Sequence, residues 1–217
     1  STPFIGVRIS WLMLARKLLF AWLAASAAQE HDVVLVDGDP DSCGIDLLLG
    51  TELLGGLRWP DLVGSHGALS SQRLWEVLPD IEGLESLRWL SWDRREPVQA
   101  PVPEVLRTLR RACDVVVLDL GRGTERSFRM AGQCDAVLVA GDVFDAQTVS
   151  DRTVRRVFNA TQAFAGPWVM LPGNHDALNA AAGTTKWAYV PSPTTRPALA
   201  DARVLAVLAY LRTAAPE

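Results

Sequence analysis

Val33-Val-Leu-Val-Asp-Gly-Asp-Pro-Asp41 is the stretch that decides the fold class. Four apolar residues run directly into Asp37 and Asp39. An uninterrupted apolar run of this length reads as a strand buried on both faces of a parallel sheet. Acids at its end stand at the carboxyl edge, where α/β sheets bind their ligands. Val115-Val-Val-Leu-Asp119 repeats the pattern and leads into the glycines of Leu120-Gly-Arg-Gly123. On neighbouring strands, Asp37 and Asp119 would line an acidic cleft suited to a metal–phosphate ligand. No Gly-x-x-x-x-Gly-Lys-[Ser/Thr] loop occurs anywhere in the chain. The sequence therefore points to a nucleotide-type fold more than to nucleotide hydrolysis.

Strand and helix patterns alternate outward from this segment. Strands are expected at Phe4 to Ile9, Val33 to Val36, Leu87 to Trp92, Val115 to Leu118, Ala136 to Ala140, Trp168 to Leu171 and Trp187 to Val190. Helices are expected at Trp11 to Ala28, Ile45 to Leu49, Ser70 to Leu78, Pro103 to Ala112, Glu125 to Met130, Ser150 to Phe164 and Ala198 to Leu211. The alternation predicts a three-layer α/β domain with a mainly parallel central sheet. Val33 to Val36 and Val115 to Leu118 are expected as adjacent or near-adjacent central parallel strands. The chain reads as a single domain over residues 1–217.

Composition narrows the function classes. A chain of 217 residues with 49% hydrophobic and 21% charged residues is an ordinary globular protein. The net charge of −4 gives no bulk signal for nucleic acid, and Arg107, Arg110 and Arg111 read as a solvated helix face. Cys43, Cys113 and Cys134 are odd in number and lack metal spacing, so they read as reduced cytoplasmic thiols. Arg16 and Lys17 before Leu18-Leu-Phe-Ala-Trp-Leu-Ala-Ala-Ser-Ala-Ala28 have the outline of a secretory signal. The strand that follows within a few residues favours a buried first helix instead. The apolar run is too short to span a bilayer.

Residues from about Asp32 to Gly123 resemble the MinD/ParA class of P-loop ATPases, in the CpaE-like branch that includes septum-site-determining proteins. The likeness rests on Leu35-Val-Asp-Gly-Asp-Pro, Gly44-Ile-Asp-Leu-Leu-Leu-Gly50, Gly56-Leu-Arg-Trp-Pro-Asp-Leu62, Leu90-Ser-Trp-Asp93 and Asp114-Val-Val-Val-Leu-Asp-Leu120. The resemblance implies a P-loop NTPase-like sheet, cell-division or secretion positioning, and ATP with Mg²⁺ held near Asp37, Asp39 and Asp119. It places Asp39 by the attacking water and gives Asp119 the Mg²⁺. It also implies a homodimer or a protein partner. Read without the resemblance, aspartates at strand ends also cap helices and close turns. The place of the family's phosphate loop is Ser10-Trp-Leu-Met-Leu-Ala-Arg-Lys17, which has no glycine to form a phosphate nest. The expectation is a pseudo-ATPase that binds ATP weakly or not at all, with Arg16 and Lys17 at the surface.

A second likeness covers about Asp135 to Asn179. Val137-Leu-Val-Ala-Gly-Asp-Val-Phe-Asp145 and Leu171-Pro-Gly-Asn-His-Asp176 resemble the Gly-Asp-x-x-Asp and Gly-Asn-His-Asp/Glu elements of calcineurin-like metallophosphoesterases, in particular their exonuclease-like members. This alternative implies Asp142 and Asn174 as metal ligands, with Mn²⁺ the expected ion, and His175 assisting the leaving group or transition state. Asp145 and Asp176 would orient their neighbours. The family's early Asp-x-His and late Gly-His-x-His are absent, and the other histidines are His31 and His66. Equally, Asn174 and Asp176 could cap a helix after Gly173. A junction of the two likenesses would fall near residues 124–135. The chain then reads as a degenerate family member, a piece of a longer protein, or a chimeric scaffold without activity.

Overall fold

The computed structural model describes residues 17–42, 44–64, 70–93, 100–121, 125–140, 168–171 and 204–208. The expected strands Phe4 to Ile9 and Trp187 to Val190, and the helix Ser150 to Phe164, lie outside these residues. Close contacts divide the chain into two units, residues 1–121 and 122–217.

The first unit is built on β1 (Val33–Asp37), which is buried at all five positions. Successive strand residues face opposite sides, so this strand is covered on both. β1 lies between two parallel neighbours, β3 (Leu84–Leu90) and β4 (Val115–Asp119). Val33 pairs with Val115 at one end and Asp37 with Asp119 at the other. The expectation of adjacent or near-adjacent parallel strands holds, and the two are direct neighbours. β2 (Asp80–Ile81) runs antiparallel to β3 on the outer side, giving four strands in the order β2-β3-β1-β4. The β2–β3 turn was not expected. Its signal is Glu82-Gly83, with Gly83 at φ +80°, where glycine is at ease. It also moves the start of β3 back to Leu84 and its end to Leu90, before Trp92.

Helices bring apolar stripes to this sheet. α1, described over residues 17–27, buries Phe20 and Ala24 on one stripe and leaves Leu18 and Trp22 exposed. α2 (Ile45–Leu49) and α3 (Ser71–Val77) match their expected positions, with the Ser70 hydroxyl accepting from the Arg73 N–H as the α3 cap. α4 (Val102–Ala112) buries Val102, Val105, Leu106 and Leu109, a one-face spacing. Its Glu104 lies in the first turn and Arg110 and Arg111 in the last, each at the end its charge favours. Arg107 and Arg111 are exposed, the solvated face anticipated from the sequence. Trp59–Leu62 forms a single 3₁₀ turn.

The second unit contains α5 (Glu125–Ala131), β5 (Ala136–Ala140), β6 (Trp168–Leu171) and β7 (Val204–Leu208). β5 pairs in parallel with both β6 and β7. The expected helix from Ala198 to Leu211 is corrected here, since Val204-Leu-Ala-Val-Leu208 is a strand. Its short, unbroken apolar run suits a parallel strand flush against β5, and periodicity alone does not separate this from a buried helix.

Side chains on β1 should carry the stability of the first unit. Leu35 is wholly buried, whereas Leu53 is 94% exposed. Leu35→Ala is expected to cost about 2–5 kcal/mol, and Leu53→Ala less than about 0.5 kcal/mol. Urea denaturation of the two variants checks the contrast.

Candidate functional site

The parallel register of β1 and β4 brings Asp37 and Asp119 side by side at the carboxyl edge. Both side chains are completely buried, and so is Lys17. The Lys17 ammonium donates to Asp37 Oδ2 at 2.8 Å and lies 3.3 Å from Asp119 Oδ2. This corrects the expected surface position of Lys17. The helix stripe that buries Phe20 and Ala24 also carries Lys17 one turn before Phe20. The β1–β4 pairing sets the two strand-end acids in register around one cation, a placement that no single segment of the sequence shows.

The remaining carboxylate oxygens are held by backbone. Asp37 Oδ1 accepts from the Asp39 N–H at 3.1 Å, and Asp119 Oδ1 from the Gly121 N–H at 2.9 Å. The Ser42 hydroxyl adds a bond of 3.0 Å to Asp37 Oδ2. The Gly38 N–H donates to the Asp119 carbonyl at 2.8 Å, tying the two strand ends together. Asp39 is buried against Gly121, and a Cβ on that glycine would come within 2.7 Å of the Asp39 carboxylate. Gly121 also sits at φ +71°, so it is required on both counts. Asp39 accepts from the Asp41 N–H at 3.2 Å, closing the turn after β1.

A tryptophan layer walls this edge. Trp59 Nε1 donates to the Asp37 carbonyl at 2.6 Å, and its ring stacks on Trp92 with centroids 5.6 Å apart. The Arg58 guanidinium lies 4.2 Å over the Trp89 ring and 3.8 Å from Asp46. It also donates to the carbonyls of Leu54, Gly56 and Leu57. Ser91 accepts from the Ile45 N–H and donates to the Trp92 carbonyl, both at 2.9 Å. The Leu-Arg-Trp-Pro-Asp-Leu and Leu-Ser-Trp-Asp strings thus have an architectural use, which a motif reading did not show.

Among the described residues no group of three or more His, Cys, Asp or Glu side chains is arranged to hold a metal. Asp142, Asn174 and His175, with Asp145 and Asp176, lie outside the described residues, as does the glycine-free segment before Lys17. Their strands are described. Ala140 pairs with Leu171 at the end of the β5–β6 ladder. In sequence, Asp142 follows Ala140 by two residues and Asn174 follows Leu171 by three.

Comparison with known proteins bears on this second unit. A family model described as "Calcineurin-like phosphoesterase" matches residues 106–208. The match begins within α4 and takes in β4 to β7. Two curated relatives from Mycobacterium tuberculosis are each 40% identical over 127 residues. They are "Uncharacterized protein MT3760" of strain CDC 1551 / Oshkosh and "Uncharacterized protein Rv3660c" of strain ATCC 25618 / H37Rv. Each alignment covers 58% of this chain and 33% of the relative, so the chain spans about a third of the relatives it matches. No solved structure matches it. The phosphoesterase match overturns the MinD/CpaE-like expectation and the septum-site, cell-division and P-loop roles drawn from it. The strand-end aspartates misled because they are shared by α/β folds in general, whereas the strings that were specific serve the tryptophan layer.

Two titrating groups give tests. Burial raises the Asp37 pKa above its ordinary 3.8; Lys17 opposes the rise and Asp119 adds to it. Above 3.8 the folded chain therefore holds a proton that the unfolded chain has released, so stability from this group falls as pH rises through the folded value. The stability of the parent minus that of Asp37→Asn should decrease from about pH 4 upward. A difference that grows with pH in urea melts would show that the attraction of Lys17 outweighs burial at Asp37. The Cys113 thiol is pushed up to about 12 by burial, with Asp114 and Asp32 beside it. It should stay a thiol at pH 8, and iodoacetamide should modify it at less than about a tenth of the rate of free cysteine. Mass spectrometry of the Cys113 peptide reads this directly.

Proposed function

We propose that the second half of the chain is a calcineurin-like, metal-dependent phosphoesterase segment acting on phosphate esters. The observation that carries this reading is the pairing of Ala140 with Leu171. It starts the Gly141-Asp142 and Gly173-Asn174 segments from one end of adjacent strands, inside the span that the family model matches. Asp142 and Asn174 are the groups that would hold Mn²⁺, a hard ion suited to oxygen ligands. The bound ion would supply Lewis-acid activation of water and phosphate. His175 would protonate the leaving group.

The donor set is sparse. An octahedral ion takes about six ligands, and His31 and His66 are the only histidines besides His175. Asp119, the strand-end acid that precedes Asp142 within the matched span, is already engaged by Lys17. Weak Mn²⁺ affinity and slow turnover follow. A second reading is favoured by that same engagement. With Lys17 already held between its two strand-end acids, the first unit serves as a stable scaffold, and any activity belongs to the second.

Hydrolysis of bis-p-nitrophenyl phosphate with excess Mn²⁺ tests the proposal. Turnover should be lost by at least about tenfold on Asp142→Ala and on His175→Ala, and should vanish with chelator. Rates equal to background, or unchanged in both variants, would leave the scaffold reading.

A further inference from the structure

We propose that Lys17 is a tethered cation that stands in for a bound metal ion between Asp37 and Asp119. It makes the carboxyl edge of the first unit independent of divalent cations. The case starts from the orientation of the two carboxylates. Each gives Oδ1 to a backbone N–H, from Asp39 and from Gly121, and turns Oδ2 toward the same point. That point is the Lys17 ammonium, at 2.8 Å and 3.3 Å. Two acids from neighbouring strands converging on one positive centre is the arrangement by which proteins hold a hard cation, and the Ser42 hydroxyl at Asp37 Oδ2 adds a further oxygen. Here the positive centre is covalently part of α1 and fully buried.

Three features show that the backbone is committed to this arrangement. The β1–β4 register aligns the acids, the Gly38 N–H bonded to the Asp119 carbonyl locks that register, and Gly121 leaves no room for a side chain beside Asp39. Removing the ammonium therefore leaves two oriented, buried carboxylates around a space the size of a lysine tip. Two such anions do not stay buried uncompensated. A divalent cation with a few retained waters would bring two positive charges where the ammonium brings one, and Mg²⁺-type ions bind through one or two carboxylates and keep much of their water.

The test uses the full chain in an Asp142→Ala background, which removes the ligand proposed for the second unit. Electron paramagnetic resonance follows Mn²⁺ uptake, and thermal melts are run with and without Mn²⁺. With Lys17 present, no uptake that depends on Asp119 is expected, and the melting temperature should not move. Lys17→Ala should acquire a Mn²⁺ site and melt about 5 °C higher when the ion is in large excess. Adding Asp119→Asn should abolish both gains. Folded Lys17→Ala that takes up no Mn²⁺, or Asp119-dependent uptake with Lys17 in place, overturns the proposal. A Lys17→Ala chain that stays unfolded even with Mn²⁺ also overturns it.

Discussion

Two carboxylates that end adjacent parallel strands in the same register cannot both be taken out of water as anions unless a cation goes with them. Asp37 and Asp119 meet that demand through Lys17, and the first unit is organised around the result. α1 must dock so that Lys17 enters between the strand ends, which sets Phe20 and Ala24 against the interior. The turn after β1 must supply the Asp39 N–H, and the chain after β4 must turn through a glycine to supply that of Gly121. A charge requirement thus specifies backbone conformation at three places far apart in sequence.

The wall around this edge is made from residues of mixed character. Trp59, Trp89 and Trp92 contribute area, while Arg58 contributes a planar cation that lies over one ring and donates to three carbonyls. Arginine suits the place because its donors are fixed in a fork and its face tolerates stacking. The Trp59 indole completes the bonding of the Asp37 carbonyl, where the strand ladder stops. Removing water from the neighbourhood also strengthens the attraction between Lys17 and its acids. Packing and electrostatics support each other here.

The family match changes where activity is sought. It covers residues 106–208 and so centres on the second unit, while the buried cluster of Lys17, Asp37 and Asp119 lies in the first. A cluster already satisfied by its own lysine has little left to offer a ligand. β5 and β6 end in register, Ala140 beside Leu171, and α/β sheets bind ligands beyond the carboxyl ends of their strands. Fold alone does not assign function to either unit; the side chains at each edge do.

The sequence by itself determined the local elements whose physics is local. Val33–Asp37, Val115–Asp119 and Ala136–Ala140 are strands because short, valine-containing apolar runs suit a parallel sheet. α4 is a helix because its apolar residues recur on one face. The strand-end acids were legible for the same reason, since they interrupt those runs. Val204–Leu208 was misread because a five-residue apolar run carries no period long enough to separate strand from helix. The burial of Lys17, the role of the tryptophan strings and the pairing of Ala140 with Leu171 were decided only in three dimensions. Each joins residues distant in the chain, and a side chain's charge partner or register mate is set by which strands become neighbours, a choice no single segment encodes.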